Sequence, residues 1–491
     1  MKPYACALAF LVGALASSMT PATSSFAANP AAQGQPYLVT DAVGDGVTDD
    51  TAALQASIDR CIDGGSAAKK VRTAVCAPFL PPGNYKITAP LRVYSVQGFH
   101  LIGSGIFQTF IRPSGTLASA LDLNGVAYST FENFSVGGDG TEIVTSVIHS
   151  YWDLTTATRS NTQNTFRSIQ IGGRYVNGFE IGRAGDNNQV DNHSFFHCLA
   201  MGSWVPGEKT YWQTGFLLGS GVWANNLEHT FYKLTSTHNR YGVECQGSQV
   251  AIYGADISGN EVDLKIAATG YFYASAVRSE GSQRLLVSGG PASYVGNLTL
   301  QDIDWHGENI HRDGFWIWYN QGGTLLLNNV RCTNPGIGSG SNAAKIGTSP
   351  GGGKSSTIIA NALSVGPGNG YTIDLSNAFA LAVTSRLVAT SFTPILSGGA
   401  TGVQITGPVL TGKLEFAARN GLQDTNLYRS GVNSLKTDGS FAVGGTIQLA
   451  TFTLATRPPA ASWTGGIIFV SDAPRGSKFQ GSDGSSWVSL G

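Results

Sequence analysis

The side chains best suited to chemistry fall between Asp256 and Glu308. Asp302 and Asp304 stand two residues apart, Glu280 lies one repeat earlier, and Arg278, His306 and Glu308 flank them. Cleaving a glycosidic bond takes an acid and a base or nucleophile, ~5–5.5 Å apart for retention of configuration and ~6.5–9.5 Å apart for inversion. On an extended strand, alternate residues share a face and rise ~6.5–7 Å, which puts Asp302 and Asp304 near the inverting range. Two like charges held that close raise one pKa and keep an acid protonated. Asp302, Asp304 and Glu280 are therefore the catalytic candidates. Arg278 could hold the carboxylate of an acidic sugar or offset the charge of an enolate. His306 and Glu308 continue the same face, Trp305 offers a ring to a sugar, and Asp256 recurs one repeat before. In a lyase the same carboxylates could gather Ca²⁺; a hydrolase needs no cofactor. The plain alternative is a surface ladder of opposite charges with no catalytic role.

The strands that would carry these residues repeat. Ile252 to Asn260, Phe272 to Gly281 and Leu298 to Asn309 overlay with Ile257, Val277 and Ile303 in one inward slot. On that overlay Asp256 matches Asp302, and Arg278 matches Asp304. A short strand recurring every twenty to thirty residues marks a solenoid, in which each repeat buries its apolar face against its neighbours. Earlier repeats place Phe134, Ile169, Leu199 and Leu234 in the same slot. A second strand pattern lies between them at NGFEIG (from Asn177), TGFLLG (from Thr214), YGVECQ (from Tyr241), EVDLKI (from Glu261) and DGFWIW (from Asp313). Each coil thus has at least two alternating strands. Val144–Asn164, Arg183–His193 and Met201–Gln213 read as insertions that could wall a binding site.

Composition agrees with an all-β chain. The 491 residues include 64 glycines, only 12% are charged, and the formal net charge is −1. Few charges and many turn residues disfavour a helical protein, and the lack of a basic run disfavours nucleic acid as a partner. Lys2, the apolar run Ala5–Ala16 and the small residues near Ala27 read as a signal peptide over 1–27, so the chain is expected to be secreted, periplasmic or on the cell surface with no span after removal. Of the remaining five cysteines, Cys61 and Cys76 are best placed to pair. Cys198, Cys245 and Cys332 read as buried small side chains.

After a linker over 28–36, residues 37–113 carry a distinct signature. Gly44-Asp45-Gly46 is a turn, and Thr48 or Asp49 can cap a helix whose Leu54, Ile58 and Ile62 form one apolar stripe. Pro81-Pro82-Gly83 breaks the chain before a strand. Three runs, DGVTDDTAALQ from Asp45, LPPGNY from Leu80 and LIGSG from Leu101, resemble the pectate-lyase-like family. That resemblance implies a single-stranded right-handed parallel β-helix over 114–410, with the helix as its N-terminal cap. It also implies a polysaccharide as ligand, since the family includes lyases, glycosidases and phage tailspike depolymerases. Residues 411–491 read as a small C-terminal β region similar to segments near the ends of phage tail fibres. Such segments imply a homotrimer; a β cap on a monomer fits the residues equally.

The expected activity is polysaccharide hydrolysis by paired outer-face carboxylates. Elimination by a polysaccharide lyase and a non-catalytic carbohydrate-binding or adhesive role remain open. The Gly-His-Gly and Arg-x-Lys segments of a polygalacturonase are lacking, as is the Asp-rich calcium run of a pectate lyase.

Overall fold

The computed structural model describes residues 36–62, 72–138, 142–182, 189–203, 213–219, 226–267, 269–289 and 295–307, the strands alone between 315 and 436, and residues 449–490. The signal segment, Glu308 and the loop carrying Trp204, Tyr211 and Trp212 lie outside the described residues.

The chain winds as a parallel β-helix. Each coil lays one strand in a first sheet and one in a second, and successive coils pair in parallel. In the second sheet Val243, Leu264, Leu286 and Ile317 stack in register. The first sheet has longer strands, among them Asn226–Thr237, Ser248–Ser258, Thr269–Glu280, Val295–His306 and Gly323–Thr333. These strands bend at one line of residues with left-handed backbone: Lys233, Gly254, Ala276, Asp302 and Asn329, with φ between 50° and 70°. The pairing skips each of them, so the ladder runs Ser275–Gln301 and Val277–Ile303 on either side of the bend. A bulge-like residue of this kind re-aims the strand without ending it. The first sheet therefore turns a corner, and its two limbs face different directions.

The stripes of apolar residues meet inside. Phe131, Phe166, Phe195 and Phe231 stack coil on coil with ring centroids 5.5, 5.0 and 4.3 Å apart, and Phe179 stacks on Phe216 at 4.8 Å. Polar rungs close the coil at the turns. The Asn239 amide donates to Asn260 Oδ1, and the Asn260 amide to Ser282 Oγ, at 2.8 and 3.1 Å. Each side chain thereby satisfies a backbone donor of the coil before it, which buried backbone requires.

Helix Thr51–Cys61 closes the N-terminal end with Leu54, Ile58 and Cys61 buried beneath it. Of the caps proposed from sequence, Asp49 accepts from the amide of Thr51, the first helical residue, at 3.0 Å, while Thr48 donates to Asp45 at 2.9 Å. Asp50 occupies the cap position without a side-chain cap bond; its carboxylate instead accepts from the amides of Val43 and Gly44 at 2.6 and 3.1 Å. Cys61 and Cys76 form a disulfide, and Cys198, Cys245 and Cys332 are buried thiols.

Three sequence alignments shift. Leu199 pairs with Gln170 and Thr235 rather than with Ile169 and Leu234 and is only half-buried, and Cys198 beside it is the buried residue. Ala255, not Ile257, pairs with Val277, because the bend at Gly254 sets the register. Asp256 accordingly pairs with Arg278 rather than matching Asp302. Residues 144–151, read as part of an insertion, belong to strand Ile143–Tyr151 of the second sheet.

The chain divides into two compact units, Met1–Asp424 and Thr425–Gly491. Parallel pairing in the first continues to Phe392 with Leu414. Within the second, four strands from Thr451 to Ser489 enclose Ile468, Val470 and Ala473. Among the described residues no helix is long and apolar enough to cross a membrane.

Candidate functional site

The first-sheet face singled out from sequence is an alternating charge ladder. Asp256, Arg278, Asp304 and Arg331 occupy successive rungs of one column, and Glu280 pairs with His306 in the next. Arg278 and Glu280 form an exposed ion pair at 2.7 Å, and His306 Nε2 lies 3.6 Å from Asp304 Oδ2. Asp256 accepts from Ser258 Oγ. Among the described residues Asp304 Oδ1 is buried with no hydrogen-bond partner.

Asp302 does not share a continuous strand face with Asp304. Its φ of 52° puts it at the corner between the two limbs, where it accepts from Asn329 Nδ2 at 2.7 Å and Gln301 Nε2 at 3.2 Å. The strand-rise argument for that pair fails at this residue, because a left-handed residue interrupts the extended backbone. Trp305 is corrected outright. It has no exposed surface, stacks on Trp316 inside the coil, and donates its indole N–H to Asp263 at 3.2 Å. The strand alternates, and Trp305 falls on the inward beat between Asp304 and His306. Tyr232 and Tyr253, exposed on this sheet, stack at 5.5 Å, and half-buried Tyr273 lies tilted against Tyr253 at 5.5 Å. Stacked rings present edges outward, so most of their faces are already occupied.

A second constellation lies on the outer face of the second sheet, near the capped end. Arg92, Asp122, His149 and Glu180 occupy successive rungs of one column, and Tyr94, Asn124 and Tyr151 fill the next. Each rung is ~4.8 Å, so Asp122 and Glu180 stand two rungs apart with His149 between. Alternation explains why these side chains point outward: Leu121, Leu123, Ile148, Phe179 and Ile181 on either side are buried in the core.

The groups touch. Tyr94 donates its phenol to Asp122 Oδ2, and Tyr151 is hydrogen-bonded to both. The His149 ring stacks on Tyr151 with centroids 4.2 Å apart. Burial, and then the bond to Asp122, pushes the Tyr94 phenol up to about 12; burial and the Asp122 charge push Tyr151 higher still. Both phenols are thus proton donors at neutral pH. Glu180 Oε2 accepts from Ser146 Oγ and from Asn177 Nδ2. Asp122 is bonded through one oxygen only, since among the described residues its Oδ1 is buried without a hydrogen-bond partner. Residues 152–160 wall the site, anchored where Asn124 accepts from the Asp153 amide and donates to Thr156 Oγ1 at 2.9 and 2.8 Å. Among the described residues no group of three His, Cys, Asp or Glu is set to hold a metal ion.

Sequence reading missed this cluster. Its signal was the runs LDLN, IHSY and FEIG, in which a polar or charged residue sits between two that are buried. Only the pairing shows that the three fall on adjacent rungs.

Residues 39–265 match the family model described as Rhamnogalacturonase A/epimerase, pectate lyase-like. That match spans less than half of the chain, whose fold is the parallel β-helix described above. No curated protein matches the sequence. Among solved structures it is similar to the A-module of mannuronan C-5 epimerase AlgE6 from Azotobacter vinelandii, at 16% identity and TM-score 0.46 over 77% of this chain and 98% of that one. It is also similar to the gp42 tailspike of Acinetobacter phage vb_AbaP_AS12, at 12% identity and TM-score 0.44 over 89% and 70%. A third similar structure is PfbA, a surface adhesin of Streptococcus pneumoniae, at 9% identity and TM-score 0.34 over 83% and 99%.

Proposed function

We propose that this protein acts on an acidic polysaccharide by moving a proton at the carbon next to a sugar carboxylate, at the outer face of the second sheet. The observation that carries the reading is the Tyr94–Asp122–Tyr151 hydrogen-bonded group with His149 stacked against it. Hydrolysis uses a pair of carboxyl groups as acid and base, whereas Asp122 is bonded to two phenols and Glu180 to Ser146 and Asn177. The proton donors of the site are phenols, and imidazole is the commonest general base. In this reading His149 takes the proton from the carbon beside the carboxylate. Asp122 orients the two phenols. In elimination, the electron pair left on carbon forms a double bond, the bond to the neighbouring sugar oxygen breaks, and a phenol protonates that oxygen. In epimerisation, a phenol instead returns a proton to the opposite face of the same carbon. The family description, which joins a glycosidase to an epimerase, is compatible with chemistry on such a polymer.

A second reading is hydrolysis at the first-sheet face, with Asp304 and Glu280 as the acid–base pair, His306 beside them, and Arg278 and Asp256 in substrate binding. The Asp304 Oδ1 atom, buried without a hydrogen-bond partner among the described residues, favours it, since an unsatisfied buried acceptor is costly and a sugar hydroxyl could donate to it. Incubation with neutral and acidic polysaccharides separates the readings. Unsaturated products by ultraviolet absorbance, or deuterium taken up from heavy water without chain cleavage, with both lost in Asp122→Asn, support the first. New reducing ends without absorbance, lost in Asp304→Asn, support the second and sink the first. Binding without any chemical change across the panel would leave an adhesive protein. The C-terminal unit is a candidate trimerisation module, testable by sedimentation of the full chain and of a chain ending before Thr425.

A further inference from the structure

The described part of the second-sheet face does not end at Tyr94. Beyond it lies an open depression of about 740 Å³ between the side of the capping helix and the first coils, lined in part by Gln55, Asp59, Arg72, Thr88, Arg92 and Tyr94. That volume is in the range of small-molecule sites, and its wall shares Tyr94 with the cluster around Asp122. Most of its polar groups are already engaged. Asp49 accepts from the Thr51 amide at 3.0 Å and from Thr88 Oγ1 at 2.6 Å, Asp59 accepts from Gln55 at 3.0 Å, and Arg72 donates to the Tyr94 carbonyl at 2.6 Å.

Arg92 is different. Its backbone is clamped on both sides by Gln55, whose Oε1 accepts from the Arg92 amide at 2.8 Å and whose Nε2 donates to the Arg92 carbonyl at 3.0 Å. Its guanidinium is exposed and has no hydrogen-bond or ion-pair partner among the described residues. A cation on a fixed backbone, in a polar depression, one rung from Asp122, is set to receive an anion. A pyranose advances a chain by about one rung, so a sugar reacting at Asp122 places its neighbour over Arg92. Arginine's planar fork matches a carboxylate in two parallel hydrogen bonds.

We propose that the depression is the subsite for the sugar adjoining the reacting one, and that Arg92 holds that sugar's carboxylate. The inference rests on the reading that the second-sheet face processes an acidic polysaccharide, and it makes the substrate a run of uronates rather than an isolated acidic residue. Calorimetric titration of the full protein with a galacturonate hexamer tests it, with turnover followed separately. Arg92→Gln should weaken hexamer binding about tenfold or more, equivalent to ~1.4 kcal/mol. The fully methyl-esterified hexamer, which has no carboxylates, should bind wild type and Arg92→Gln alike. Asp122→Asn should keep hexamer affinity within about threefold while losing turnover. Equal hexamer affinity of wild type and Arg92→Gln, or no hexamer binding by wild type, overturns the subsite. Wild type that binds the hexamer through Arg92 yet leaves it unchanged supports the subsite and overturns the proton-transfer reading.

Discussion

Asp263 offers a stability experiment whose size follows from its surroundings. It lies in strand Val262–Ile266 of the second sheet, with no exposed surface. Four donors reach it: Asn260 Nδ2 at 3.0 Å, Ser282 Oγ at 2.6 Å, Ser279 Oγ at 2.6 Å and Trp305 Nε1 at 3.2 Å. Burial outweighs these bonds and pushes the carboxyl from 3.8 up to about 7. The folded state therefore holds a proton that the unfolded chain has lost. At ~1.4 kcal/mol per pKa unit, Asp263 adds about 4 kcal/mol of stability below pH ~4, and this fades as pH rises through about 7. Buried His193 and His229 act in the opposite sense, because burial pushes both down, His229 to about 3. Their stabilisation is present above the ordinary histidine range and is lost as pH falls, so the wild-type curve alone is uninformative.

Asp263→Asn isolates the carboxylate, since both histidines remain and cancel in the difference. Thermal unfolding of wild type and variant, followed by circular dichroism from pH ~4 to ~8, should show wild type losing about 4 kcal/mol relative to the variant across that range. At ~2.1 cal/mol/K of unfolding entropy per residue over roughly 400 residues, that is about 5 °C in relative Tm. A gap that stays constant with pH would refute the reasoning, because Asp263 would then carry the same charge folded and unfolded.

Asp122→Asn is expected to cost 10²-fold or more in turnover with little change in Tm, a loss of the size seen when general acid–base groups are disturbed; Tyr94→Phe should lower turnover in the same direction. Under the same reading Asp302→Asn should leave turnover within about twofold, because Asp302 sits at the strand corner and bonds to Asn329. Trp305→Ala should destabilise the fold by about 3–5 kcal/mol without weakening sugar binding, since the ring lies in the core; denaturant unfolding and a binding titration check the two halves. Reducing the Cys61–Cys76 bridge, which closes a loop with sequence separation 15, should cost about 3 kcal/mol, read as a drop in Tm under reductant.

The solenoid was legible because its signal is local and repeated. Inward slots such as Val277 and Ile303 recur with strand alternation, and the turn-and-helix signature from Asp45 to Gln55 marks the capped end. Burial of the three unpaired cysteines followed from residue type alone. The site was less legible for two physical reasons. Left-handed residues such as Gly254 and Asp302 interrupt the alternation, so counting along the strand misplaced Asp256 and set Asp302 and Asp304 on one false face. Coils of unequal length also hide which residues become neighbours. Asp122, His149 and Glu180 lie 27 and 31 residues apart in sequence, yet parallel pairing brings them to adjacent rungs. Sequence by itself determined that this chain stacks coils around an apolar core, because hydrophobic periodicity is written residue by residue. Tertiary structure decided which polar side chains meet, because register across coils is set by the hydrogen-bond ladder and its bends.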